Sequence, residues 1–155
     1  MTSKELRVIR QEAQRAIGST KVETVPEQLN AARVFLPMKS ASGGPIYFFV
    51  VKRLKARKFS LILHVDSIGI LAVDTTLVLL QEVLQGYGLL LSQDAVIMEE
   101  NTAVPLSERM RTMAQALIGI DGIRRLWQVQ HDRRVHAEGK NPEPAGDATN
   151  NSASR

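Results

Sequence analysis

A histidine and an aspartate on one predicted strand are the residues from which a metal site is most readily assembled. His64 and Asp66 alternate with apolar residues in the segment FSLILHVD, so both are expected on one face of a β-strand. With Asp74 and Glu12 they are the candidates from which the Mg²⁺ site of a metal-dependent nuclease could be assembled. Such a site also needs an acid two residues before a lysine on a neighbouring strand, and no predicted strand has this step. His64 and Asp66 therefore lack the partners that a nuclease requires, and the sequence predicts no metal and no cofactor.

Other catalytic arrangements are also incomplete. The chain has no cysteine, which excludes thiolate catalysis and Cys-ligated zinc. It has no Gly-x-Ser-x-Gly elbow, and His131 and His136 lie in or next to a C-terminal segment without apolar periodicity. The glycines of Ser42 to Pro45 are not followed by the Lys-Ser/Thr pair of a phosphate-binding loop. These absences favour a binding protein over an enzyme.

Positive charge is concentrated in two places. The densest cluster lies between two predicted strands, at the expected tip of a β-hairpin, and contains Lys52, Arg53, Lys55, Arg57 and Lys58. The second group is expected to point away from the core on the last helix and contains Arg124, Arg125, Arg133 and Arg134. A basic hairpin tip can straddle a phosphate backbone. The sequence has a net charge of +4 and therefore permits a nucleic-acid or an acidic-protein partner.

The elements that position these residues begin with an amphipathic helix from Lys4 to Ile17, stopped by Gly18. Strands are predicted from the alternation of apolar and polar residues at 32–38 and 59–66, from continuous apolar character at 46–51, and the segment 21–25 is β-prone but is closed by Pro26. The segment IYFFVV at 46–51 is apolar on both faces, which predicts a strand covered on each side and buries Tyr47, Phe48 and Phe49. Without aromatic residues interleaved with the basic ones, a protein partner is favoured over single-stranded nucleic acid. The segment 67–73 is either a further strand or a loop.

The stretch from Asp74 to Met98 is predicted to be the centre of the fold. Its helix has so narrow a polar stripe that burial on most sides is expected, and it is followed by a hairpin of 89–91 and 95–98. A C-terminal helix then starts near Pro105 and should kink or restart between Gly119 and Gly122, with Asp121 as the cap. Predicted core residues are Leu80, Leu84, Leu117 and Trp127.

Clustered strands joined by short turns predict an α+β fold. We expect a single domain at 1–136, with a small, largely antiparallel sheet packed against the central helix and the C-terminal helices. The residues at 137–155 lack apolar periodicity and are predicted to be disordered. The N-terminus has no apolar signal segment, and no apolar run reaches membrane-spanning length, which favours a cytoplasmic protein without a membrane partner.

The span from Ile46 to Trp127 resembles an uncharacterised domain family of bacterial and phage genomes, the domain of unknown function numbered eighteen-twenty-eight. The resemblance is carried by a helix that ends in a Gly-aromatic-Gly step, a Leu-x-x-Asp-Ala hairpin and an amphipathic closing helix. The matching residues are Leu80, Leu84, Gly86, Tyr87, Gly88, Leu91, Asp94, Ala95, Leu106, Met113 and Ala116. Family members tend to have an Asp-Gly step after the second strand, where this chain has HVDSIG at 64–69. The resemblance implies a fold and an association with mobile elements, and it implies no reaction.

The sequence therefore predicts a non-enzymatic accessory protein of a phage or mobile element that acts by macromolecular interaction. A host protein or one encoded by the element is favoured as the partner. Two alternatives stay open: a nucleic-acid-binding protein that uses the basic hairpin, and a degenerate or divergent metal-dependent nuclease-like domain.

Overall fold

In the part of the chain that the structure describes, six strands form one antiparallel sheet in the order β1-β2-β3-β4-β6-β5, and three helices pack with it. The computed structural model describes residues 1–40, 42–53, 59–64, 74–92, 96–99 and 103–138. The elements are α1 (Ser3–Ile17), β1 (Val22–Val25), β2 (Gln28–Lys39), β3 (Pro45–Lys52), β4 (Phe59–His64), α2 (Asp74–Gly86), β5 (Leu89–Leu91), β6 (Val96–Glu99) and α3 (Leu106–Glu138). The predicted α+β class and the antiparallel sheet are confirmed.

The three helices share one face of the sheet, which we call the helix face. Alternate residues of β2 and β3 point to it, and cross-strand pairs such as Val34 with Phe48 and Val50 with Leu61 lie side by side. These side chains form one buried cluster with Ile9 of α1, Leu84 of α2 and the central residues of α3. The core is therefore a single layer between the helices and this face.

Helix α1 is fixed at both ends by its own sequence. Thr2 and Glu5 form a capping box, in which each side chain accepts a hydrogen bond from the backbone N–H of the other residue. Gly18 ends the helix in the left-handed conformation, with φ of 67°. The buried residues of this helix are Ile9 and Ala13, which lie one turn apart and dock it on the sheet.

Helix α2 is less enclosed than its sequence predicts. Leu80 and Leu84 are each 1% exposed, as expected of core residues. Val78 and Leu79, however, are 56% and 47% exposed. A helix that packs on one face of a two-layer structure buries one stripe, so the apolar residues on its flanks remain in contact with solvent. The prediction that this helix is buried on most sides is wrong.

Helix α3 is continuous over 33 residues, and the break predicted between Gly119 and Gly122 does not occur. Asp121 is no helix cap: it is buried within the helix, and its Oδ2 accepts a hydrogen bond from Arg125 Nε at 2.9 Å. Leu117 is fully buried, but Trp127 is 41% exposed and stacks on His131 with the ring centroids 5.1 Å apart. The prediction of Trp127 as a core residue is wrong, because the helix has passed the sheet by this point and the side chains at 129–136 are all exposed to solvent.

Several predictions fall partly outside the described residues. The strand-or-loop segment 67–73 and residues 139–155 of the predicted tail lie there, while Ala137 and Glu138 belong to α3. The predicted hairpin after the central helix is confirmed by the pairing of β5 with β6. No described helix combines the length and the apolar composition that a bilayer crossing needs.

Candidate functional site

The sheet face opposite the helices carries a group of aromatic and charged side chains. No described helix packs on this surface, which we call the open face. Strand β2 contributes Arg33 and Phe35, and β3 contributes Tyr47 and Phe49. The antiparallel register pairs Arg33 with Phe49 and Phe35 with Tyr47, so the four side chains form a compact square. With Lys21, which precedes β1, they make up the cationic-aromatic cluster.

The rings of the cluster contact one another in the geometries that aromatic pairs prefer. Phe35 and Tyr47 have their centroids 5.4 Å apart with the ring planes at 54°. Tyr47 and Phe49, two residues apart on β3, have theirs 5.6 Å apart in an edge-to-face arrangement at 85°. Such pairs contribute about 0.5–1.5 kcal/mol each beyond the burial of their area. The three rings therefore hold one another in place.

Two cations lie against these rings. Lys21 Nζ is 4.3 Å from the centroid of Phe35. The guanidinium carbon of Arg33 is 4.8 Å from the centroid of Tyr47, 5.7 Å from that of Phe49 and 6.0 Å from that of Phe35. Because the face of an aromatic ring is negative, each close contact of this kind stabilises the cation by about 0.5–2 kcal/mol. The rings thus position the guanidinium without neutralising its charge.

Arg33 has hydrogen-bonding capacity that the described residues do not use. Its Nε is buried and has no acceptor among them, and none of them forms an ion pair with its guanidinium. Glu23 is its cross-strand neighbour in β1, but the carboxylate binds Lys21 instead, with Nζ and Oε1 3.4 Å apart. A buried donor without a partner costs about 1–3 kcal/mol. This half-buried arginine is therefore suited to an anionic group from outside the described residues.

The members of the cluster differ in accessibility. Phe35 is 7% exposed, whereas Arg33, Tyr47 and Phe49 are half-buried. Beyond Phe49 the same register row continues to Ile62 of β4, which is also half-buried. The open face therefore offers partly exposed rings and two cations beside an apolar area.

The basic hairpin is only partly described, and one of its members has another role. Lys52 points to the helix face and forms an ion pair with Glu5 of α1. The side-chain hydrogen bond from Lys52 and the backbone hydrogen bond from Thr2 lower the pKa of Glu5 to about 2. Arg53 is exposed, while Lys55, Arg57 and Lys58 lie outside the described residues. Lys52 therefore joins α1 to the sheet and does not contribute to a free basic tip.

The four arginines predicted to form a basic surface on the last helix also differ in what they contact. Arg124 and Arg125 were expected to point away from the core; Arg124 is half-buried and Arg125 is exposed, and both make hydrogen bonds to the sheet side of the molecule. Arg124 Nη1 lies 3.3 Å from Ser42 Oγ, and Arg125 Nη2 donates to the carbonyl of Lys39 at 3.4 Å. Both arginines thus bind the turn between β2 and β3, because α3 runs past it. Arg133 and Arg134, further along the helix, are exposed.

The described part of the chain does not complete the metal site predicted from His64 and Asp66. His64 ends β4 and pairs through its backbone with Val96, and Asp66 lies outside the described residues. The described residues contain no group of three His, Asp or Glu side chains placed to hold an ion. A cavity of about 120 Å³ lies between β4, the start of β5 and α3, and it is smaller than the usual range of ligand pockets. The nuclease-like alternative stays a prediction.

Sequence reasoning missed the cationic-aromatic cluster because it expected Tyr47 and Phe49 to be covered on both sides of β3. The helix face of that strand is buried at Ile46, Phe48 and Val50, as predicted, but its other face is only half-buried. The signal lay in the period-two alternation of β2, where Arg33 shares a face with Phe35. The register that places this face beside Tyr47 and Phe49 could not be taken from either strand alone.

The chain matches no known family model, and neither the curated proteins nor the solved structures contain a match to it.

Proposed function

We propose that this protein is a non-enzymatic binding protein that acts by occupying the surface of another macromolecule with the open face of its sheet. The observation that carries the proposal is Arg33, a half-buried guanidinium surrounded by three rings and without an ion pair among the described residues. Partly exposed aromatic and arginine side chains are also the types enriched where proteins bind other macromolecules.

The resemblance to the mobile-element domain family supports a setting for this activity. We propose that the chain is an accessory of a phage or mobile element, present in the cytoplasm, whose partner is made by the host or by the element. Arg53, which is exposed just after the end of β3, would extend the positive charge beyond Arg33. Such an extension increases the rate at which an acidic partner associates.

The proposal is tested by isolating the tagged full chain from its native host and identifying what is recovered with it in stoichiometric amount. We expect a partner with the wild-type protein and its loss with Arg33→Glu, because the substitution reverses the charge of the arginine in the cationic-aromatic cluster. The matched control is Arg7→Glu, which makes the same change at an exposed position of α1, in the opposite layer. It should leave the partner bound.

Two results would refute this function: recovery of no stoichiometric partner, or a partner retained by the folded Arg33→Glu variant. Circular dichroism and thermal melting establish that both variants fold. The double variant Arg57→Glu, Lys58→Glu, measured in the same way, shows whether the basic hairpin belongs to the same surface.

A further inference from the structure

We infer that the partner of the open face is a single-stranded nucleic acid, with a phosphate at Arg33 and bases against Tyr47 and Phe49. This inference rests on the function proposed above and specifies the chemistry of its partner. A single strand needs a cation for each bound phosphate and an aromatic surface for its unpaired bases. The cationic-aromatic cluster supplies both within one square of side chains.

The geometry favours a single strand over an acidic peptide. A carboxylate would bind the guanidinium but would present no planar group to the exposed parts of the rings. Phe49 lies opposite Arg33 in the register, Tyr47 lies diagonally to it, and both keep part of their surface exposed, so stacked bases and their phosphate fit together there. The guanidinium is itself a plane on which a base can stack. The expected absence of interleaved aromatic residues, which favoured a protein partner, does not hold for this surface.

The charged residues around the cluster allow a more specific prediction. Lys21 is the second cation of the cluster and is 63% exposed in its side chain, so it can contact a neighbouring phosphate. Glu23, 47% exposed in its side chain, lies on the same face and would repel one. A polyanion should therefore bind more tightly when this carboxylate is removed. A substitution that affected only the folding of the protein would not be expected to strengthen binding.

The test is fluorescence anisotropy with the full chain and labelled twelve-nucleotide oligo-dT and oligo-rU, a DNA duplex of the same length and a twelve-residue polyglutamate peptide. We expect at least one of the single strands to bind about ten-fold more tightly than the duplex and the peptide, because stacking requires unpaired bases. The two single strands separate DNA from RNA as the source of the ligand. If the duplex or the peptide binds as tightly as the single strands, the inference is overturned.

Four substitutions locate the site. Tyr47→Leu and Phe49→Leu should each weaken single-strand binding by about ten-fold, since one stacked base is lost. Arg33→Gln should weaken it and make the dependence of log K on log salt shallower by about 0.7, the value for one phosphate of a single strand. Glu23→Gln should strengthen it. The control Arg7→Gln should leave the salt dependence unchanged.

The outcomes distinguish this inference from the proposed function. If neither single strand binds, but the native host yields a protein that is lost with Arg33→Glu, the partner is a protein and only the inference fails. If neither single strand binds and no Arg33-dependent partner is recovered, both fail. If single strands bind but folded Tyr47→Leu and Phe49→Leu bind as well as wild type, the rings are not the base-binding surface and the inference is overturned.

Discussion

Glu5 shows how one residue in this protein serves two local structures. Its carboxylate accepts a hydrogen bond from the N–H of Thr2 in the capping box and also binds Lys52 at the end of β3. Both partners favour the ionised form, which is why the pKa of Glu5 falls from 4.5 to about 2. The same carboxylate therefore ties the start of α1 to the sheet.

This lowered pKa predicts a pH dependence of stability. The ionised carboxylate stabilises the folded state above about pH 4.5, the pKa of an unperturbed glutamate, and this contribution is lost as the pH falls toward 2. Glu5→Gln should therefore be less stable than wild type at pH 7, and the difference should shrink between pH 4.5 and 2. Urea unfolding of both proteins at several pH values measures it. An equal difference at pH 7 and pH 2.5 would contradict the assignment of the pKa to this contact.

At the scale of elements, the glycines of this chain have opposite roles according to their backbone conformation. Gly122 lies within α3, and a Cβ added there meets no atom within 4 Å. Gly18 ends α1 with φ of 67°, a backbone conformation that residues with a Cβ rarely adopt. A glycine inside a helix lowers its stability, whereas one at a left-handed end is favoured there.

The two glycines predict opposite effects of one substitution. Gly122→Ala should raise the free energy of unfolding by about 0.5–1 kcal/mol, because alanine is the better helix former. Gly18→Ala should lower it by about 1 kcal/mol, because the left-handed end becomes strained. Chemical denaturation of the two variants provides the comparison. A loss of stability in Gly122→Ala would show that α3 is interrupted there, as the sequence alone had suggested.

At the scale of the whole molecule, the core is one layer between the helices and the helix face of the sheet. Leu84 is 1% exposed inside this layer, while Leu126 is 67% exposed on the part of α3 that extends past it. The two leucines are chemically identical, so their different environments alone determine what truncation costs. They test whether the core ends where the structure places it.

Leu84→Ala should lower the free energy of unfolding by about 2–5 kcal/mol, the usual cost of a cavity in a packed core. Leu126→Ala should change it by about 0.5 kcal/mol or less, as surface substitutions do. Equilibrium urea unfolding monitored by circular dichroism measures both. Comparable losses in the two variants would mean that the projecting part of α3 is packed against another surface in solution.

The order of the elements and the helix face of the sheet were predictable from the sequence alone. Alternation in β2 identified Ala32, Val34 and Leu36 as one buried face, and helical spacing identified Leu80 and Leu84. These patterns are local, because the spacing of apolar residues along a short segment indicates both the type of element and the face that it buries. The capping box of Thr2 and Glu5 is local in the same way.

Only the tertiary structure determined which surfaces remain uncovered. The sequence could not show that all three described helices share one face, and so it assigned Tyr47 and Phe49 to a buried strand. It could not show that Lys52 meets Glu5, 47 residues away, or that Arg124 meets Ser42. The cationic-aromatic cluster depends on the register that places Arg33 beside Phe49. Contacts between residues far apart in the chain follow from packing and register, and these are properties of the assembled sheet and helices.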